Sequence, residues 1–168
     1  MEQKLDKTQN LKLRFSSFLQ KNKFKILSLI ILIILLLVSI FVYDQIKKKR
    51  NILLSEKYIK AGLLLSNNQN EEAKNYFDEI ISSENKFYSL LSFNTILERD
   101  LMNDREKILN YFEILEKKNY SQDLKDLILF KKALYFLKLN EFEIGNNILA
   151  ELISKNSKLK SAAQEILK

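Results

Sequence analysis

The residues in this chain that could do acid–base chemistry are its carboxylates and lysines. A hydrolase or transferase needs a base, a nucleophile or a metal. The chain has no His, so it offers no imidazole base and no imidazole metal ligand. It has no Cys, which excludes thiolate chemistry and a disulfide framework. Eighteen of its 21 Asp and Glu lie in Asn51–Lys168, scattered among Lys on helix surfaces. The pairs Glu71/Glu72 and Asp123/Asp126 sit where carboxylates favour a helix N-terminus. Gly62 and Gly145 are the only glycines, and no phosphate-cradling loop can be assembled from them. The expectation is a protein with no catalytic residue, no metal and no cofactor.

The stretch that organises the chain is Ile26–Tyr43, ILSLIILIILLLVSIFVY. It has no charge, Gly or Pro, and Ser28 and Ser39 are its strongly polar residues. At about 1.5 Å per residue a helix of this length spans roughly 27 Å, close to the hydrocarbon thickness of a bilayer. A soluble core helix needs a polar face, which this stretch lacks. It predicts a transmembrane helix. No small-x-small cleavage site follows it, so an uncleaved anchor is expected. Ser28 and Ser39, eleven apart, return to nearly the same side and offer a contact to another membrane helix, although tolerated serines explain them as well.

Charge separates the two halves. Residues 1–50 hold eleven Lys/Arg against three acidic residues, and residues 51–168 hold seventeen against eighteen. The net charge of +7 therefore belongs to the membrane flanks, which sets nucleic acid aside. Lys21, Lys23 and Lys25 flank one side of the apolar run; Lys47, Lys48, Lys49 and Arg50 flank the other. Counted to about twenty residues out, the positive-inside comparison is a tie. The expected organisation is a basic cytoplasmic tail over 1–25, a transmembrane helix over 26–43, a basic junction over 44–50 and a helical domain over 51–168. In the tail, Leu11, Phe15, Phe18 and Leu19 recur at helical spacing, as in a helix lying on anionic lipid, although a short, loosely ordered tail explains them as well.

From Asn51 on, apolar residues recur three and four apart, and no useful β-alternation appears. The fold class expected is all-α. Breaks fall at Ser66-Asn67-Asn68, Ser82-Ser83, Asn103-Asp104, Asn119-Tyr120-Ser121, Asn140 and Asn156-Ser157, because Asn ends helices and Ser or Asp caps the next. The resulting hairpins repeat. Tyr58, Phe93 and Phe130 are followed ten residues later by Asn68, Asn103 and Asn140. Fifteen residues after each marker come Ala73, Ile108 and Gly145; nineteen after come Phe77, Phe112 and Leu149. Three and four after come Ala61-Gly62, Ile96-Leu97 and Ala133-Leu134. Small residues let two helices cross closely, and the aromatic after them fills the gap between hairpins.

This pattern resembles the tetratricopeptide repeat, with three hairpins and Ser157–Lys168 as a capping helix whose stripe is Leu159, Ala162, Ala163 and Ile166. Ile108 is large where that repeat has a small residue, and the usual Pro is missing. The first helices of such hairpins build a concave side. Leu90, Phe93, Leu97 and Leu101 form one apolar face, and Leu127, Phe130, Leu134 and Leu137 another. Most of this is expected to be core, with the remainder open as a groove for a partner helix or an extended client.

The layout as a whole resembles the bacterial ancillary subunit of the Sec translocon. The stretches Lys86–Leu91, Met102–Lys107 and Ser121–Leu152 carry the similarity, which spans roughly residues 20–165. That family continues into a final hairpin where this chain stops. The resemblance implies a single-pass protein of the bacterial inner membrane, with a cytoplasmic N-terminus and a periplasmic domain. It implies protein partners: the Sec translocon, periplasmic chaperones or exported clients. The other contact expected is the bilayer, through Ile26–Tyr43, with no nucleic acid and no small-molecule substrate. The rival expectations are a cytoplasm-facing scaffold that docks a soluble signalling protein, and a structural anchor that oligomerises through its domain.

Overall fold

The computed structural model describes residues 21–167. These residues form seven helices and no strand: α1 (Lys23–Ser66), α2 (Asn70–Ile81), α3 (Lys86–Glu98), α4 (Arg105–Glu116), α5 (Gln122–Lys138), α6 (Phe142–Ser154) and α7 (Lys160–Ile166). The tail residues Leu11, Phe15, Phe18 and Leu19 lie outside the described residues. The chain divides into two compact units at Arg50/Asn51.

In the first unit, α1 carries an 18-residue window with a mean hydropathy of 3.2, none of it buried. This one helix among the described residues is long and apolar enough to cross a membrane. Ser39 donates its hydroxyl to the Leu35 carbonyl at 2.8 Å, so its polarity is satisfied within its own helix. The basic stretch Asp44–Arg50 is helical rather than a break between elements. Lys and Arg are good helix formers, and Lys48 pairs with Asp44 one turn back at 2.8 Å.

In the second unit, α2 packs on α3 and α4, α4 on α3 and α5, α5 on α6, and α6 on α7. Four helix ends share one turn. Asn68, Asp100, Asn140 and Asn156 adopt φ of 59°, 51°, 61° and 53°. At each, two backbone N–H groups turn back onto the last helical turn: Gln69 to Leu64 (2.9 Å) and Asn68 to Leu65 (3.1 Å) after α1, and likewise Leu101 to Ile96, Glu141 to Phe136 and Ser157 to Leu152. Asn and Asp enter this left-handed region at least cost among residues with a side chain.

The second hairpin departs from expectation here. Asn103 does not make the turn; Asp100 does, because α3 ends at Glu98. The residue after the turn is Leu101, which joins Ile96 in the core and so fixes the earlier stop. Asn103 is exposed, just ahead of Asp104, whose side chain accepts from the Lys107 N–H at 3.0 Å and starts α4. The α2–α3 and α4–α5 connections begin instead with right-handed Ser82 and Lys117. Asn85 caps α3 by accepting from the Tyr88 N–H at 2.9 Å.

The capping helix is shorter than the sequence suggests. Ser157 is buried in the turn, and helical structure resumes only at Lys160. Of the expected stripe, Ala163 is fully buried, Leu159 and Ala162 are half-buried, and Ile166 is exposed. The core forms two clusters that meet along α5. Ile128 belongs to the first, with Phe77, Phe93, Tyr111 and Phe112; Ala133 belongs to the second, with Leu149, Leu152 and Ala163.

Candidate functional site

Each marker residue lies near the residue nineteen positions after it. Tyr58 lies 5.8 Å from Phe77, ring to ring, and Phe93 meets Phe112 edge-on at 4.6 Å. Phe130 packs in the same cluster as Leu149. Ala61, Ile96 and Ala133 are fully buried, as are Ala73 and Ile108. Gly145 is buried where α6 crosses α5 most closely. A Cβ there would stand 2.8 Å from Leu137 Cγ and 3.0 Å from the Ala133 carbonyl oxygen.

Gly62 corrects the sequence reading. It is exposed, and a Cβ built on it meets nothing within 4 Å, so it is not a packing slot. It follows the buried Ala61 by one residue, and a helix turns about 100° in one step. Its counterparts Leu97 and Leu134 also turn outward, half-buried and exposed respectively. The position four after each marker is therefore the outward one.

A set of polar contacts joins residues 33 to 38 apart in sequence. Tyr58 and Thr95 share a hydroxyl hydrogen bond at 3.1 Å. Asn85 donates to the Asn51 side chain at 2.7 Å. Arg105 grips Glu141 with two parallel bonds, at 2.8 and 2.9 Å. That guanidinium holds the Glu141 carboxyl below its ordinary range. Tyr111 donates to Asp78 at 2.9 Å; burial first, then this carboxylate, keep its phenol well above its usual value. Tyr120 donates to the Lys86 carbonyl at 2.7 Å, and burial pushes its phenol up to about 12. Lys86 and Lys118 reach in turn to the carbonyls of Asn119 and Ser83, and burial lowers the Lys118 ammonium.

A cavity of about 180 Å³ opens between α3 and α5. Its floor and walls are Ile96, Leu97, Met102, Ile108, Leu134 and Tyr135. Glu98 and Asp100 from the end of α3 face Lys131 and Lys138 of α5 across its mouth. Lys138 pairs with Asp100 at 2.7 Å, and Lys131 with Glu98 at 3.4 Å. Of the six groove leucines expected from sequence, only Leu97 and Leu134 line this cavity. Leu90 and Leu101 pack on the first cluster, Leu137 lies under Gly145, and Leu127 is half-buried. Phe93, expected on the same face, is core. The four charged residues escaped the sequence reading. Their signal was opposite charges one repeat apart, at 33 residues for Glu98/Lys131 and 38 for Asp100/Lys138.

The remaining carboxylate pairs do not converge. Glu71 and Glu72 lie in the first turn of α2, with Glu71 held by Lys74 at 2.5 Å. Asp126 is buried and accepts from Gln122 at 2.7 Å, while Asp123 is exposed and pairs with Lys158. Among the described residues no group of His, Cys, Asp and Glu could hold a metal ion. The flanking Lys21, Lys23, Lys25, Lys47, Lys48, Lys49 and Arg50 are all exposed. No protein-family model matches the chain, and neither a curated protein nor a solved structure is significantly similar to it.

Proposed function

We propose that this chain is a single-pass membrane protein whose tetratricopeptide-like hairpins hold another protein beside the membrane. It is a tether and carries no catalytic step. The observation that supports this most is a set of contacts between residues 33 to 38 apart, close to the 35- and 37-residue marker spacing, on a chain that also bears a membrane-length apolar helix. A stack of hairpins presents its first helices side by side, and here that side carries the cavity between α3 and α5.

The physical advantage is confinement. An anchor that restricts a weak site to a thin layer over the membrane raises the effective concentration its ligand meets, to the millimolar range for short tethers. The resemblance to the ancillary subunit of the Sec translocon supplies the setting. In this reading the N-terminus is in the bacterial cytoplasm and the domain in the periplasm, where it meets the translocon, a chaperone or an emerging exported chain. The equal basic flanks favour neither orientation, so the same module facing the cytoplasm and docking a soluble signalling protein is the competing reading.

The test is photo-crosslinking in cells from Leu134, with exposed Glu113 of α4 as the control position. The proposal expects adducts with translocon subunits, chaperones or exported chains from Leu134 alone. Adducts only with cytoplasmic proteins, or equal adducts from both positions, would refute it.

A further inference from the structure

The cavity between α3 and α5 combines two features that together specify a ligand. The first is size. An apolar cavity of about 150 Å³ accepts a benzene ring, and this one, at about 180 Å³, has room for one Phe side chain. The second is Lys131. Its side chain is only 22% exposed, yet its carboxylate partner Glu98 is 67% exposed and 3.4 Å away, at the outer limit of a hydrogen bond. Lys138, by contrast, is 58% exposed and held by Asp100 at 2.7 Å. A lysine whose side chain is this far covered, with so long a contact to a carboxylate that stays in water, is weakly paired.

We infer that this cavity is an anchor pocket for a protein segment bearing a large apolar side chain of Phe size with a carboxylate about one helical turn away. The ring enters between Leu97 and Leu134 and rests on Ile96 and Ile108. The carboxylate takes Lys131 in place of its long contact to Glu98, which is already mostly in water. The exposed Lys138–Asp100 pair is worth little and need not break. This inference rests on the reading of the chain as a module that holds proteins, and adds the chemistry of what is held. A large side chain buried in a desolvated pocket is the kind of anchor that carries most of an interface's binding energy.

The experiment uses the full chain in lipid nanodiscs. The probe is a labelled short helical peptide carrying one Phe and one Glu a turn apart, followed by fluorescence anisotropy. Three controls carry Ala for the Phe, Gln for the Glu, or Lys for the Glu. The expected result is binding weakened about tenfold or more by the Ala and Lys controls and less by Gln. Leu134→Trp, a change at an exposed position that fills the mouth, should abolish binding while the tyrosine near-ultraviolet signal of the fold persists. Lys131→Gln should remove the preference for Glu over Gln while keeping the requirement for Phe. Equal binding of the Lys control, insensitivity to Leu134→Trp, or no binding at millimolar peptide would overturn the inference. So would self-association abolished by Leu134→Trp, since exposed Phe142 beside Glu143 would then make a second copy the occupant. Crosslinks to exported chains from Leu134, without charge preference in the peptide series, would leave the holding function standing and remove only this pocket chemistry.

Discussion

Gly145→Ala adds a methyl group 2.8 Å from Leu137 Cγ and Cδ2 and 3.0 Å from the Ala133 carbonyl oxygen. The Leu137 side chain can swing; the backbone oxygen of Ala133 moves only if α5 and α6 part. Alanine gains about 1 kcal/mol in helix propensity over glycine. Overpacking of a tight contact costs about 1–3 kcal/mol. The balance is a loss of about 1 kcal/mol. Gly62→Ala meets nothing within 4 Å in an exposed helix interior, so only the propensity gain remains, about 0.5–1 kcal/mol of stabilisation. The two variants should differ by about 2 kcal/mol, or roughly 8 °C in melting temperature for a domain of this size. The assay is thermal unfolding of the full chain in micelles, followed by tyrosine near-ultraviolet dichroism, since the chain has no Trp. If Gly145→Ala stabilises as much as Gly62→Ala, the close crossing of α5 and α6 is wrong.

Phe93→Ala should destabilise by about 3–5 kcal/mol, because Phe93 is fully buried against Phe112 and Tyr111; urea unfolding measures it. Tyr120 has a raised folded pKa, so its contribution is complete below its ordinary value of 10.0 and is lost as pH rises towards about 12; Tyr120→Phe should remove that alkaline limb from a pH series of melting temperatures. Glu141 has a depressed folded pKa, so its contribution is present above its ordinary 4.5 and lost as pH falls; carboxyl NMR titration should find it low, and Arg105→Gln should return it towards 4.5. Leu35→Arg at the middle of the apolar run should cost about 2.5–3.5 kcal/mol of insertion and shift the chain from the carbonate-resistant to the extractable fraction.

Helix ends were legible where their chemistry is local. Asn68 and Asn140 mark left-handed stops because Asn tolerates positive φ, a property of the residue itself. Asp100 was not legible, since the choice between it and Asn103 depends on whether Leu101 reaches Ile96 in the core. The two glycines divide for a related reason. Spacing put both at packing slots of the repeat, but only at Gly145 does the neighbouring helix come within contact of the missing Cβ. The short α7 reflects Ser157, whose backbone and hydroxyl oxygens accept from the N–H groups of Lys160 and Leu159 and occupy the turn. Helical spacing offered Leu97 and Leu134 among six groove leucines without singling them out. It did not offer the charged mouth of their cavity, because Glu98/Lys131 and Asp100/Lys138 meet only where the end of α3 comes against α5.

The orientation of the domain tests the account most directly, and paired reporters fused after Lys168 measure it, one active only outside the inner membrane and one only inside. The account predicts signal from the outside reporter alone, which puts the α3–α5 cavity within reach of exported chains. Signal from the inside reporter alone would contradict it, since the domain would then never meet an exported client.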